Sequence, residues 1–101
     1  MTSGERKRYQ IFMSPSAHRK YKKFDPRLQN KVKEEARKLS EEPYRYEELK
    51  GRLKGIRSYH FGYENTEYRI AYRIVEDENR IEIVLVKTRK NFYQILRRIL
   101  R

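Results

Sequence analysis

Between residues 39 and 59 the apolar side chains change their spacing, and that change commits the chain to a mixed architecture. Upstream, Leu28, Val32, Ala36 and Leu39 recur at i, i+4, i+8 and i+11, which places them on one face of a helix. Downstream, Tyr59, Phe61 and Tyr63 alternate with Ser58, His60 and Gly62. Tyr68, Ile70, Tyr72 and Ile74 alternate in the same way with Arg69, Ala71, Arg73 and Val75, the two-residue repeat of a strand.

Punctuation residues divide these stretches further. Residues 8–13 read as a first strand, ended by Ser14-Pro15, with Ser14 as helix N-cap and Pro15 where a missing N–H costs nothing. Ala17, Tyr21 and Phe24 give that first helix its apolar face, and Asp25-Pro26 repeats the start signal for a second helix stopped by residues 40–43. Two amphipathic helices joined so tightly predict an αα-hairpin. Residues 44–50 have a spacing compatible with one helical turn, and Gly51 to Gly55 read as a basic loop with glycine joints. Strands follow from residue 56, over 66–75 and over 81–86, with turns at Glu64-Asn65 and at 76–79. Asn65 suits a positive φ, and the nearly continuous apolar run 81–86 is the kind buried inside a sheet. Asn91 is expected to cap a last helix whose stripe is Phe92, Ile95, Leu96, Ile99 and Leu100, opposite Arg97, Arg98 and Arg101. The expectation is α+β: an N-terminal strand, a two-helix hairpin, a three-stranded antiparallel meander completing one sheet, and a C-terminal helix. Residues 1–7 are polar and expected to be flexible, leaving 8–101 as one domain.

Charge narrows the function. Twenty-six Lys and Arg against 14 Asp and Glu give 101 residues a formal charge of +12, a self-repulsion that a polyanionic partner relieves. With no cysteine, disulfides, thiolate catalysis and Cys-based metal sites are excluded; with two histidines, His18 and His60, a histidine-rich metal centre is not expected, nor any cofactor. No apolar run approaches the roughly 18 residues of a membrane span, and no secretory leader is recognisable, so the expectation is a soluble cytoplasmic protein.

Alternation also assigns faces. If Tyr68, Ile70, Tyr72 and Ile74 lie under the helices, Arg69 and Arg73 point to the opposite face, joined by Ser58 and His60 from the preceding strand. Lys87, Arg89 and Lys90 fall beside the same region, with Tyr93 at the helix start. Such a cluster is an anion site unless Arg69 and Arg73 are satisfied by Glu67 or Glu82. Lys50, Arg52, Lys54, Arg57, Arg73, Lys87 and Lys90 are candidate nucleic-acid contacts, and Tyr44 and Tyr46, interleaved with Arg45, either stack on bases or cover a core edge.

The run Glu67-Tyr-Arg-Ile-Ala-Tyr72 resembles the central strand motif of the RelE/ParE toxins, in which an arginine follows an aromatic residue and precedes an apolar strand. Val86-Lys-Thr-Arg89 with Asn91-Phe-Tyr93 resembles that superfamily's terminal basic segment and aromatic residue, and the order of elements matches over residues 8–100. The resemblance implies a toxin of a type II toxin-antitoxin system: a metal-independent, ribosome-dependent mRNA endonuclease silenced by an acidic, RelB-like antitoxin, with the ribosome and mRNA as further partners. It implies catalytic roles for Arg69, Arg89 and, more loosely, Tyr93. Family members carry two lysines where alternation here puts Ser58 and His60, so His60 is the candidate base, its ordinary pKa lying near neutrality. The stripe Phe92, Ile95, Leu96 and Ile99 is either docked on its own sheet or the place where an antitoxin helix binds. A ParE-type inhibitor of DNA gyrase and a non-catalytic basic RNA-binding module are the alternatives.

Overall fold

The structure is a computed structural model that describes residues 8–100. The expectations for residues 1–7 and for Arg101 lie outside the described residues. In chain order the elements are β1 (Gln10–Met13), α1 (Pro15–Lys23), α2 (Pro26–Glu41), β2 (Glu47–Glu48), β3 (Arg57–Tyr63), β4 (Thr66–Val75), β5 (Arg80–Thr88) and α3 (Phe92–Ile99). The arrangement is the expected α+β one, with the strands in a single sheet ordered β1-β5-β4-β3-β2.

The helix starts follow the sequence signals. Ser14 accepts the Ala17 N–H at 3.2 Å, Asp25 accepts the Leu28 N–H at 2.9 Å, and a proline opens each helix. Only Phe24 and Asp25 separate α1 from α2, and the turn is zipped by Gln29, whose amide donates to the Tyr21 carbonyl at 3.0 Å. The hairpin packs Ala17, Leu28, Val32, Ala36 and Leu39 onto Phe61, Ile70, Tyr72, Ile81, Ile83 and Val86 of the sheet. A second core fills the opposite face, where Phe92 and Leu96 of α3 meet Ala71, Val84 and Leu85, joined by Leu53 and Ile56.

The sheet departs from a purely antiparallel one. β3, β4 and β5 form the expected meander, but β1 runs parallel to β5, Ile11 beside Ile81 and Met13 beside Ile83. The helical hairpin carries the chain across the sheet and so lets a parallel neighbour form. Apolar residues on both sides suit β5 to that interior place. A bulge between Ala71 and Tyr72, whose partners are Leu85 and Ile83, leaves Val84 as the extra residue. The phase of β5 thereby shifts, so that Ile83 and Val86 serve the helical core while Val84 and Leu85 serve the other.

Two local expectations are corrected. Residues 44–50 contain no helical turn; Glu47 and Glu48 form a two-residue strand opposite Ser58 and Arg57, and the glycine-jointed loop behind it is a 3-10 turn at Gly51–Leu53. Gly51 and Gly55 there have φ of +65° and +94°, which glycine adopts without steric cost. Asn91 adopts the left-handed conformation, φ 57°, and makes no side-chain cap bond; its tolerance of positive φ, rather than its oxygen, is what the turn into α3 uses. At the β3–β4 hairpin both Glu64 and Asn65 have positive φ, the geometry of a two-residue turn matched to strand twist.

One buried charge holds the hairpin to the sheet. The Glu35 side chain, 3% exposed, accepts the Tyr59 hydroxyl and sits 3.0 Å from Lys31 Nζ and 3.2 Å from Lys38 Nζ. Burial pushes its pKa upward, but the tyrosine and the two ammonium groups outweigh that and hold it below the usual 4.5. A depressed carboxylate stabilises the fold above its unfolded pKa, and that contribution is lost as the pH falls through the lower, folded value. Replacing Tyr59→Phe is therefore expected to cost about 1.5–3 kcal/mol at neutral pH in urea denaturation. The stability gap between wild type and Glu35→Gln should shrink as the pH drops below 4.5; a gap independent of pH would contradict the charged network.

Candidate functional site

The strand register puts three of the expected residues side by side. His60 on β3 pairs with Arg69 on β4, and Arg69 pairs with Lys87 on β5. Paired residues in a sheet share a face, so alternation places all three on the side covered by α3. Because α3 is eight residues long and docks through Phe92 and Leu96 on Ala71, Val84 and Leu85, it leaves the β3 end of this face open.

There a groove of about 360 Å³ is floored by Ser58, His60 and Arg69 and walled by Tyr93 on one side and by Arg45, Tyr46 and Glu47 on the other. Arg69 is its fixed point. Its Nη1 donates to the Tyr93 hydroxyl oxygen at 2.6 Å, its Nε donates to Glu67 at 2.9 Å, and its guanidinium carbon lies 5.3 Å from the Tyr93 ring centre. Two tethers on one planar fork fix its orientation. Since Arg69 supplies the proton in the bond to Tyr93, the tyrosine keeps its own O–H hydrogen to donate elsewhere.

Glu67 meets Arg69 not across strands but from two residues away on the same strand and face. The Arg69 hydrogen bond, with the positive charge of Arg69 and the influence of His60 and Arg89, holds its carboxyl below the usual carboxylate range. The Glu67 side chain pairs with Arg69 while its backbone carbonyl accepts the Arg89 N–H at 3.2 Å. Its spacing from Arg69 on an alternating strand was the signal that could have found it. Glu47 carried no such signal, because its place in the groove depends on β2 pairing with β3.

The other expected contacts are scattered. Arg73 is bound across strands to Glu82 at 2.7 Å, the satisfied arrangement weighed against an anion site. Arg89 lies outside the groove, lining a separate cleft of about 650 Å³ with Lys90, Glu67 and Thr66. Lys87 belongs to β5 and turns its ammonium to the carbonyls of Thr88 and Lys90; burial, with the charges of Lys20 and Lys90, lowers its pKa. Lys50 and Lys54 border a third dent of about 310 Å³ beside Gly51, and Arg52 is exposed on the same loop, which docks by Leu53. Arg57 donates to backbone carbonyls and lines none of these clefts. In the C-terminal stripe, Phe92 and Leu96 are buried on this chain's own sheet, Ile95 packs beside them, and Ile99 is exposed.

Comparison with known proteins gives the site a context. A model of the ParE-like toxins of type II bacterial toxin-antitoxin systems matches residues 11–97. The toxin-antitoxin complex RelBE2 from Mycobacterium tuberculosis contains a chain 33% identical, matching over 81% of this chain and 99% of that one with a TM-score of 0.71. The E. coli toxin RelE, as a double arginine mutant in the free state, matches over 92% of this chain and 99% of its own at 18% identity and a TM-score of 0.69, a likeness of fold. A conserved protein of Helicobacter pylori, HP0892, matches over 80% of this chain and 94% of its own, with 24% identity and a TM-score of 0.52. No curated protein matches the sequence.

If Arg69 is what depresses Glu67, a carbon-detected NMR titration should show the Glu67 carboxyl rising toward its ordinary 4.5 in Arg69→Ala. An unmoved midpoint would mean that the two side chains are not paired in solution.

Proposed function

The chain belongs to the ParE-like toxins of type II bacterial toxin-antitoxin systems, within the RelE/ParE superfamily, and from that premise we propose that it acts as an endoribonuclease on mRNA at the ribosome. The observation that carries this reading is Arg69, fixed in an open groove between Glu67 and Tyr93 with His60 beside it.

The chemistry needs no group beyond those side chains. A ribose 2′-hydroxyl attacks the adjacent phosphorus, giving a 2′,3′-cyclic phosphate and a free 5′-hydroxyl. In this reading His60 takes the 2′ proton as general base, and Tyr93 gives the hydrogen of its O–H to the 5′ leaving oxygen. The N–H groups of Arg69 that are not engaged by Glu67 and Tyr93 face the charge that builds on the phosphorane, and their fixed orientation means little reorganisation as it forms. Glu67 neutralises Arg69 in the free protein, so an incoming phosphate displaces part of an existing ion pair rather than meeting a bare cation. Arg89, in the neighbouring cleft, is suited to a flanking phosphate.

An acidic antitoxin is the expected partner, since the RelBE2 chain that this one resembles was crystallised in a toxin-antitoxin complex and the surface here is strongly basic. With Phe92 and Leu96 buried, an antitoxin helix reaches the surface they cover only by displacing α3, while Ile99 is already open to it.

A second reading, inhibition of DNA gyrase, draws support from the position of Arg89 outside the groove and from Ser58 and His60 where the family carries lysines. It requires no catalytic constellation.

Purified protein added to translating ribosomes on a defined mRNA should create new 3′ ends within the decoding-site codon. Arg69→Ala is expected to lower the rate about 10²–10³-fold and Tyr93→Phe about 10²-fold. An intact message, or cutting undiminished in Arg69→Ala, would overturn the nuclease reading; loss of gyrase supercoiling in a parallel assay would then favour the second.

A further inference from the structure

Residues 45–47 form one wall of the groove, and the strand that carries them is short. Glu47 and Glu48 pair with β3, the Leu49 N–H adds one bond to the Ile56 carbonyl at 2.8 Å, and the Tyr46 ring packs edge-on against Tyr59 with 4.7 Å between centres. The carbonyls of residues 44 and 46, ahead of that pairing, are held by a side chain reaching back from β3. Arg57 donates through Nη1 to the Tyr46 carbonyl at 2.7 Å and to the Tyr44 carbonyl at 3.1 Å, and its Nη2 lies 3.6 Å from Glu48. Its guanidinium carbon stands 5.2 Å from the centre of the Tyr44 ring. The Tyr44 hydroxyl in turn donates to Glu76 at 2.5 Å, and Glu76 also accepts from Tyr9 at 3.1 Å.

We infer that Arg57 is a positioning residue: it clamps the 44–48 segment so that Arg45, Tyr46 and Glu47 stand as the wall facing His60, Arg69 and Tyr93. The inference rests on the reading of that groove as the RNA site. Arg57 does not line the groove, its charge is matched by Glu48, and its side chain is 19% exposed, so it is badly placed to meet a phosphate itself. Lysine is no equivalent, because a compact ammonium lacks the planar fork that spans two carbonyls and a carboxylate beside an aromatic ring.

The test uses the full chain with Arg57→Lys, Arg57→Gln and Tyr46→Ala, alone and combined, and a fluorescently tagged single-stranded oligoribonucleotide as probe. Affinity is measured over a series of salt concentrations, and amide hydrogen exchange is followed on each protein. Both Arg57 variants should accelerate exchange across 45–49 by about tenfold or more, with β4 and β5 protection unchanged, the signature of a local opening. Both should bind the probe several-fold more weakly with the wild-type salt slope. Because Arg57 acts through a segment that includes Tyr46, Arg57→Gln combined with Tyr46→Ala should weaken binding by less than the product of their separate effects.

Wild-type exchange and affinity in Arg57→Lys, with a salt slope shallower by about 0.7 in Arg57→Gln, would make Arg57 a direct phosphate contact and overturn the inference. Faster exchange with unchanged affinity would overturn it too, leaving a clamp without influence on the groove. Arg69→Ala separates the two readings. Binding that ignores this change removes the groove as the RNA site, while the exchange data decide the clamp by themselves.

Discussion

A sheet covered on both faces must offer apolar side chains to each, and strict alternation along β5 from Ile81 and Ile83 would turn Lys87 under the helical hairpin. The bulge in β5 resolves this constraint. By inserting Val84 opposite the step from Ala71 to Tyr72, it gives Ile83 and Val86 to the helical hairpin and Val84 and Leu85 to α3. The rest of the molecule follows from that division. Tyr72 stays on the helical side, where its hydroxyl donates to the Pro43 carbonyl at 2.6 Å and ties down the exit of α2. Ala71 provides the small surface on which Phe92 and Leu96 settle. Because α3 covers only that middle strip, Arg69, one pleat away, is left at the mouth of an open groove with Tyr93 above it.

Net charge tells little about where an anion binds. Several of the arginines are already committed to carboxylates: Arg73 to Glu82, Arg57 to Glu48 and Arg69 to Glu67. Of these three, only Arg69 combines its carboxylate with a second tether, the Tyr93 hydroxyl, while lining the groove. A cation held at two points costs little to orient when a phosphate arrives, whereas a loose surface lysine must first be ordered. The +12 charge favours polyanions over the surface as a whole, whereas the tethered guanidinium gives the groove one fixed point of positive charge.

The local periods in the sequence determined the two capped helices, the meander, the turn at Glu64 and Asn65, and the face on which each residue of β3 and β4 lies. Arg69 and His60 share a face with the start of α3 because alternation leaves them no other place, and that much of the site was legible from residues 58–73. The tertiary structure decided the parallel placement of β1, the left-handed role of Asn91, the strand at Glu47–Glu48, and the destinations of Arg57, Arg73 and Arg89. The reason is one of range. A side chain's face follows from steric periodicity within a few residues, but whether a long cationic side chain binds a carboxylate, a carbonyl or a ligand depends on which groups distant segments bring within about 3 Å.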